Sequence, residues 1–312
     1  MARTARIKLE DGGFYHLCAR AAAKNGEFPL DRPVVKLKLL ELIQHYAAIY
    51  YCTFAAVSIL GNHWHGVCHF EKPRELSDEE LKVRARLLYP RSDKLLTLWP
   101  KAKWLRLQHR LFDISEFMRN VQGAFSRWYN RTYNRKGHFW GERFCSTILG
   151  GPDAVLEAVM YVELNAVRAG LETHPEEYEW SSLYFREAGQ DDGLMPLSEL
   201  MHDQKGTKDE LHARFKERIY YRGAIITKKG QKPIPEDVIK RESKRGFKRR
   251  GAFRKRVACF TNGLVLGGEL YVLEKLTKLR AVGQYLRRKN PVKQLDGVLY
   301  SLREQRSNYV ET

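Results

Sequence analysis

The sequence is poor in several features, and each scarcity excludes a class. No segment reaches the roughly 18 consecutive apolar residues that a membrane span requires, so no transmembrane helix is expected. The basic opening Met1-Ala2-Arg3-Thr4-Ala5-Arg6 is not followed by an apolar stretch, so it does not read as a signal peptide. The five cysteines, Cys18, Cys52, Cys68, Cys145 and Cys259, are odd in number, scattered and free of any CxxC pair. That argues against a disulfide scaffold or a zinc ribbon and fits reduced thiols in a cytoplasm. There is no internal repeat. Acidic residues are scarce relative to basic ones, 37 against 55, which leaves a net charge of +18. Such an excess favours a polyanionic partner, either nucleic acid or an anionic surface, over a merely basic soluble protein.

What is present suffices for a folded core. The chain has 312 residues, 43% of them hydrophobic, enough for one large domain or two small ones. Residues 13–20 alternate like a strand. Asp31-Arg32-Pro33 opens a helical pattern with Leu37, Leu39, Leu40, Ile43, Tyr46 and Ala47 on its apolar side. Residues 53–60 form a buried, strand-like run, Gly61-Asn62 bends the chain, and residues 63–70 make the next strand. The order β-α-β-β is half of a split β-α-β sandwich. The expected class is therefore α+β, ferredoxin-like or RRM-like, an antiparallel sheet with helices on one face.

A charged, partly helical insertion at 71–112 follows, with Trp99-Pro100-Lys101-Ala102-Lys103-Trp104 as a basic, aromatic patch. Ile114, Phe117, Met118, Val121, Phe125 and Trp128 then recur at helical steps, and Asp113 with Glu116 resembles a capping box. A second helix is predicted from about Asp153 to Arg168, begun by Pro152 and stopped by Gly170. The organisation reads as a main domain over 1–185, a basic linker or arm over 186–256, and a small helical segment over 257–312. Lys205 to Arg256 carries 19 basic and 6 acidic residues, and Lys248, Arg249 and Arg250 lie in its densest part. This C-terminal extension reads as basic and partly helical, either a flexible arm or a solvated helix.

Chemistry is suggested first by Asn62-His63-Trp64-His65. Residues i and i+2 of a strand share a face, so both imidazoles project together while Trp64 turns into the core. The pair is half of a metal site; the alternative is two histidines satisfied by ordinary hydrogen bonds. His69 has the same parity, but three ligands on one strand spread over about 20 Å, so it is a poor third donor. On the second helix, Glu157, Tyr161, Asn165 and Arg168 stack along one face. That stripe is either a solvated surface or the other half of the site. In the second case Asn165 offers an amide oxygen to the metal and Tyr161 stands one turn away as a nucleophile. A histidine and amide-oxygen site with open positions suits Mg²⁺ or Mn²⁺ acting on a phosphate. A nearby cation stabilises the phenolate of a tyrosine otherwise too weakly acidic to attack at neutral pH.

Five blocks in order resemble a known family, the HUH single-tyrosine transposases and, within them, the REP-associated tyrosine transposases. They are Gly13-Phe14-Tyr15-His16-Leu17 with Arg20, Gly61-Asn62-His63-Trp64-His65, Gly137-His138-Phe139-Trp140-Gly141-Glu142-Arg143-Phe144, Tyr161-Val162-Glu163-Leu164-Asn165-Ala166-Val167-Arg168-Ala169-Gly170, and Tyr178-Glu179-Trp180-Ser181-Ser182. The resemblance covers about the first 185 residues. It departs from the family at Gly61 and Ala166, where the family carries proline, and at Gly141-Glu142, where it carries Gln-Gly. Gly61 is expected to loosen the strand entry and Ala166 to make its turn more helical.

The resemblance implies Tyr161 as nucleophile, His63 and His65 as metal ligands with Asn165 as the third, and a divalent cofactor, Mg²⁺ or Mn²⁺. It implies a substrate of single-stranded DNA bearing a hairpin, of the REP-like palindrome type. The implied reaction is nicking and rejoining through a covalent 5′-phosphotyrosine. A cytoplasmic, nucleoid-associated location and a monomer or homodimer go with it. DNA contacts are expected from Arg20, Arg131, Arg135, Lys136, His138, Trp140, Arg143, Arg168, Lys248, Arg249 and Arg250, through phosphate charge and base stacking. Two other readings remain open at this point: a nucleic-acid-binding protein of the same fold without cleavage, and a zinc-stabilised RNA-binding module.

Overall fold

A computed structural model of the chain describes residues 6–24, 26–91, 93–202, 204–224, 232–244, 263–285, 290–294 and 299–303. Its first half is two interlocked β-α-β units. Strand β1 (Gly13–Arg20) leads through α1 (Pro33–Ile49) to β2 (Cys52–Ile59), which turns at Gly61-Asn62 into β3 (His63–Phe70). Three helices, α2 (Asp78–Leu88), α3 (Asp93–Leu96) and α4 (Lys101–Arg110), fill the charged insertion. Helix α5 (Ile114–Thr132) then returns the chain to β4 (Cys145–Gly150). These four strands lie in the order β2-β3-β1-β4 and pair antiparallel throughout. This is the α+β sandwich that the β-α-β-β pattern predicts. Pro33 sits in the first turn of α1, where its missing N–H costs nothing. Asp113 caps α5 by accepting from the N–H groups of Ser115 and Glu116.

Strand alternation sends β1 and β3 side chains to two separate cores. Leu17, Ala19, Trp64 and Phe70 pack with α1 and α5 on one face. Val67 and Leu149, on the other, pack with α6 (Pro152–Glu163). Helices therefore cover both faces of the sheet, not one. Every residue of α6 from Ala154 to Glu163 is buried except the half-buried Glu157. The apolar stripe of α6 fixes only one contact surface; elements from farther along the chain cover the rest.

The helix predicted over 153–168 is divided. It pauses at Leu164, resumes as α7 (Asn165–Ala169), and ends at Gly170 in the left-handed conformation, φ 74°. Beyond it lie α8 (Ser182–Glu187), α9 (Leu197–Leu200), α10 (Lys208–Gly223) and α11 (Glu236–Lys244). The 257–312 segment, expected to be helical, contributes strands as well. These are β5 (Gly263–Gly267), β6 (Val292–Gln294) and β7 (Leu299–Arg303), beside a helix at Glu269–Ala281. They extend the same sheet to seven strands, with β5 pairing parallel to β4. Gly263-Leu264-Val265-Leu266-Gly267 is buried on both faces and so lacks the alternation by which a strand is recognised. Among the described residues no helix is long and apolar enough to cross a membrane.

Candidate active site

The register of β1 on β3 sets Cys18 opposite His65 and Arg20 opposite His63. His63, His65, His16, Cys18 and Arg20 accordingly share the face covered by α6, while Trp64 is fully buried on the opposite face. The rings of His63 and His65 lie 4.9 Å apart, nearly perpendicular. Tyr161 comes down from α6 with its ring edge-on to His65 at 5.5 Å and to His16 at 5.6 Å. Residues nearly a hundred positions apart are thus brought into one cluster, as the sequence predicts for the histidine pair and Tyr161.

His16 is a member of this cluster that the sequence reading did not single out. Its Nε2 is 3.0 Å from Nδ1 of His65, and the two rings stack 5.1 Å apart. On the other imidazole, Nδ1 of His63 lies 2.6 Å from the Asn62 Oδ1. With Nδ1 of both engaged, each ring has its Nε2 left to present to a ligand, and the tautomer is set by a neighbour. The Nε2 of His65 lies 3.9 Å from the Cys18 thiol. The signal for His16 was parity: on a strand paired antiparallel with β3 it must face the same way as His65. Local sequence does not give that register.

Both candidate ligands are held neutral. Burial, assisted by the Arg20 charge, lowers His63 to about 4. Burial and the neighbouring His16, His63 and Arg20 push His65 well below the usual histidine range. Neutral imidazole is the form that binds metal. Among the described residues no three His, Cys, Asp or Glu side chains form a metal cage. Among the described residues, a third protein donor to this pair would be of another type.

Asn165 is buried one turn beyond Tyr161, across the Leu164 pause. Its amide nitrogen has no hydrogen-bond partner. The Glu157 to Arg168 stripe is not solvated. Glu157 pairs with Arg222 of α10 at 2.6 Å. Arg168 lies over the Tyr161 ring, 5.5 Å from its centroid. Burial lowers its guanidinium to about 10, and Tyr161 offsets part of that shift. It stays cationic at neutral pH. The Lys232 N–H reaches the Arg168 carbonyl at 3.4 Å.

One end of the sheet gathers the other candidates. Arg20 is exposed and donates to the Asn62 Oδ1 at 3.3 Å. The 137–143 segment is stitched to β1 there by Gly141 N–H to the Arg20 carbonyl and Ala22 N–H to the Phe139 carbonyl. His138 and Arg143 are exposed on that segment, and Arg131, Arg135 and Lys136 are exposed just before it. Trp140 is different. Its indole N–H donates to the Gln122 carbonyl at 3.1 Å, and its ring packs on Phe125 and Phe139, so it braces the segment against α5. Lys248, Arg249 and Arg250 lie outside the described residues.

The cluster has a closed and an open side. His65 and Tyr161 are 2% and 7% exposed, whereas His63 and Asn62 are half-buried and Arg20 is exposed. Access runs from the end of the sheet where β1 stops and β3 starts.

No family model matches the chain, and no curated protein matches it. Among solved structures, it is similar to a REP-associated tyrosine transposase bound to a REP hairpin. The identity is 14% and the TM-score 0.40, over 67% of this chain and 93% of that one.

Proposed function

We propose that the chain is a metal-dependent, single-stranded DNA nicking and strand-joining enzyme of the HUH single-tyrosine transposase type, with REP-like hairpins as the substrate class. The observation that carries this reading is the convergence of Tyr161 with the neutral His63 and His65 on one face of the sheet. A phenol with no other role needs no histidine pair at its edge and no buried guanidinium over its ring.

In the proposed reaction the Tyr161 Oη attacks a backbone phosphorus. The Oη–P bond forms, the bond from phosphorus to the 3′ oxygen breaks, and the phenolic proton ends on the leaving 3′ hydroxyl. The product is a 5′-phosphotyrosine, which a 3′ hydroxyl of another strand can reverse without an external energy source. Arg168 lowers the cost of the phenolate by its charge over the ring. His16 and Asn62 orient the two imidazoles. The donor set fits a divalent cation, Mg²⁺ or Mn²⁺: His63 and His65 would hold it, with the Asn165 amide oxygen as third donor. Bound there, such an ion supplies Lewis-acid charge to the phosphate oxygens. The exposed Arg20, Arg131, Arg135, Lys136, His138 and Arg143 hold the strand's phosphates.

The test is a denaturing gel of the protein incubated with a labelled single-stranded hairpin oligonucleotide and Mn²⁺. The wild type is expected to give a covalent band. Tyr161→Phe should give none while retaining DNA binding. A full-strength band from that variant would sink the nucleophile assignment. DNA binding by the wild type with no band under either ion would favour a binding protein that does not cleave.

A further inference from the structure

The loop between β1 and α1 carries an exposed aromatic ring where a buried one would be expected. Phe28 is 58% exposed. It is not hanging from a loose loop. Ala21 N–H donates to the Asn62 carbonyl at 2.9 Å and Leu30 N–H to the Gly61 carbonyl at 2.8 Å, so the loop is laced to the β2–β3 turn. Asp31 N–H closes a turn onto the Phe28 carbonyl at 3.0 Å.

The ring is seated on Gly61. A Cβ at position 61 would lie 2.8 Å from the Phe28 Cδ1 and 3.0 Å from its Cβ, so any other residue there would push the ring from its present seat. Gly61 is buried. It makes room for one side of an aromatic ring and leaves the rest to solvent.

Position matters as much as exposure. Gly61 is two residues before His63, at the open side of the cluster. Exposed cations lie on the adjoining segments: Arg20 at the end of β1, which donates to Asn62, and Arg32, four residues after Phe28, which stacks over Tyr133 at 5.1 Å. A solvent-facing aromatic near exposed cations is the arrangement by which proteins hold an unpaired nucleobase: the ring takes the base face and the cations take the neighbouring phosphates.

We propose that Phe28 forms a stacking subsite for one unpaired nucleobase of the strand entering at His63. This subsite rests on the single-stranded DNA reading above. Phe28 would register the strand so that the scissile phosphate stops at Tyr161. Any base presents a π-face, so the subsite selects single-stranded over paired DNA rather than one base over another.

The experiment uses the full-length protein without added metal, so that binding is read apart from cleavage. The probe is a hairpin oligonucleotide with a single-stranded flank carrying 2-aminopurine at successive flank positions. Its fluorescence is quenched when the base stacks. With the wild type, one position is expected to be quenched. Phe28→Ala should abolish that quenching and weaken flank binding roughly 5- to 100-fold. Phe28→Trp should restore both. The same hairpin without its flank should bind all three proteins alike. Thermal melting of Phe28→Ala should match the wild type, because the ring buries little. Unchanged quenching and affinity in Phe28→Ala would overturn the subsite and leave the enzyme reading standing. A wild type that does not bind the flanked hairpin would overturn both.

Discussion

Glu163 closes α6 two residues after Tyr161, and it is fully buried. It accepts from the Ser182 hydroxyl at 2.6 Å and from the Leu183 N–H at 3.0 Å, which ties the roll of α6 to α8. Burial pushes its carboxyl up to about 7, against these hydrogen bonds and the Arg186 charge. The folded state therefore holds this proton more tightly than the unfolded chain does. Stability from this group is present below the ordinary carboxylate value of about 4.5 and declines as pH rises through about 7. Because buried His63 and His65 act in the opposite sense, the readout is a difference: Glu163→Gln, whose amide can donate to Ser182 and accept from Leu183, should gain in melting temperature relative to the wild type as pH rises from 5 to 8. An unchanged slope in the variant would place the titration elsewhere. The shared face of His63 and His65 and the helical position of Tyr161 were legible at this scale because two-residue parity and helical spacing are local. His16 was not legible, because its partner sits 49 residues away across an undetermined register.

At the scale of elements, β1, α1 and β3 were readable nearly to the residue. Alternation, the Pro33 start and the Gly61-Asn62 bend are all written in adjacent positions. The environment of α6 was not. Its stripe of Glu157, Tyr161, Asn165 and Arg168 looks solvated until α10 and the Lys232 segment are laid over it. The Arg222–Glu157 pair is the polar link of that cover, with side chains 8% and 23% exposed. Arg222→Ala would leave a mostly buried carboxylate without its cation. The expected cost is about 2 kcal/mol, between the exposed-pair and fully buried cases. Urea unfolding would measure it, and a loss below about 0.5 kcal/mol would mean that the pair is effectively solvated.

Over the whole molecule, the +18 charge makes binding to a nucleic acid strongly dependent on salt. Each phosphate neutralised on a single strand contributes about −0.7 to the slope of log K against log salt. Replacing Arg135 and Lys136 together by alanine should make that slope shallower by about 1.4. Fluorescence anisotropy over a salt series would check it, and an unaltered slope would remove both residues from the phosphate path. Charge and fold class were legible at this scale, whereas the joining of the C-terminal strands to the sheet was not. That joining has a further consequence. Without β5, the outer N–H and C=O groups of Ile148 to Gly150 would form a bare ladder, open to a strand from another copy. The sheet instead finishes at β6, three residues long and carrying Lys293, a poor template for further pairing. At its other margin, the Trp180 carbonyl and the Met195 N–H occupy backbone groups of Ile59 and Phe54. The C-terminal strands and the 180–195 segment thus leave little open edge for strand-to-strand aggregation.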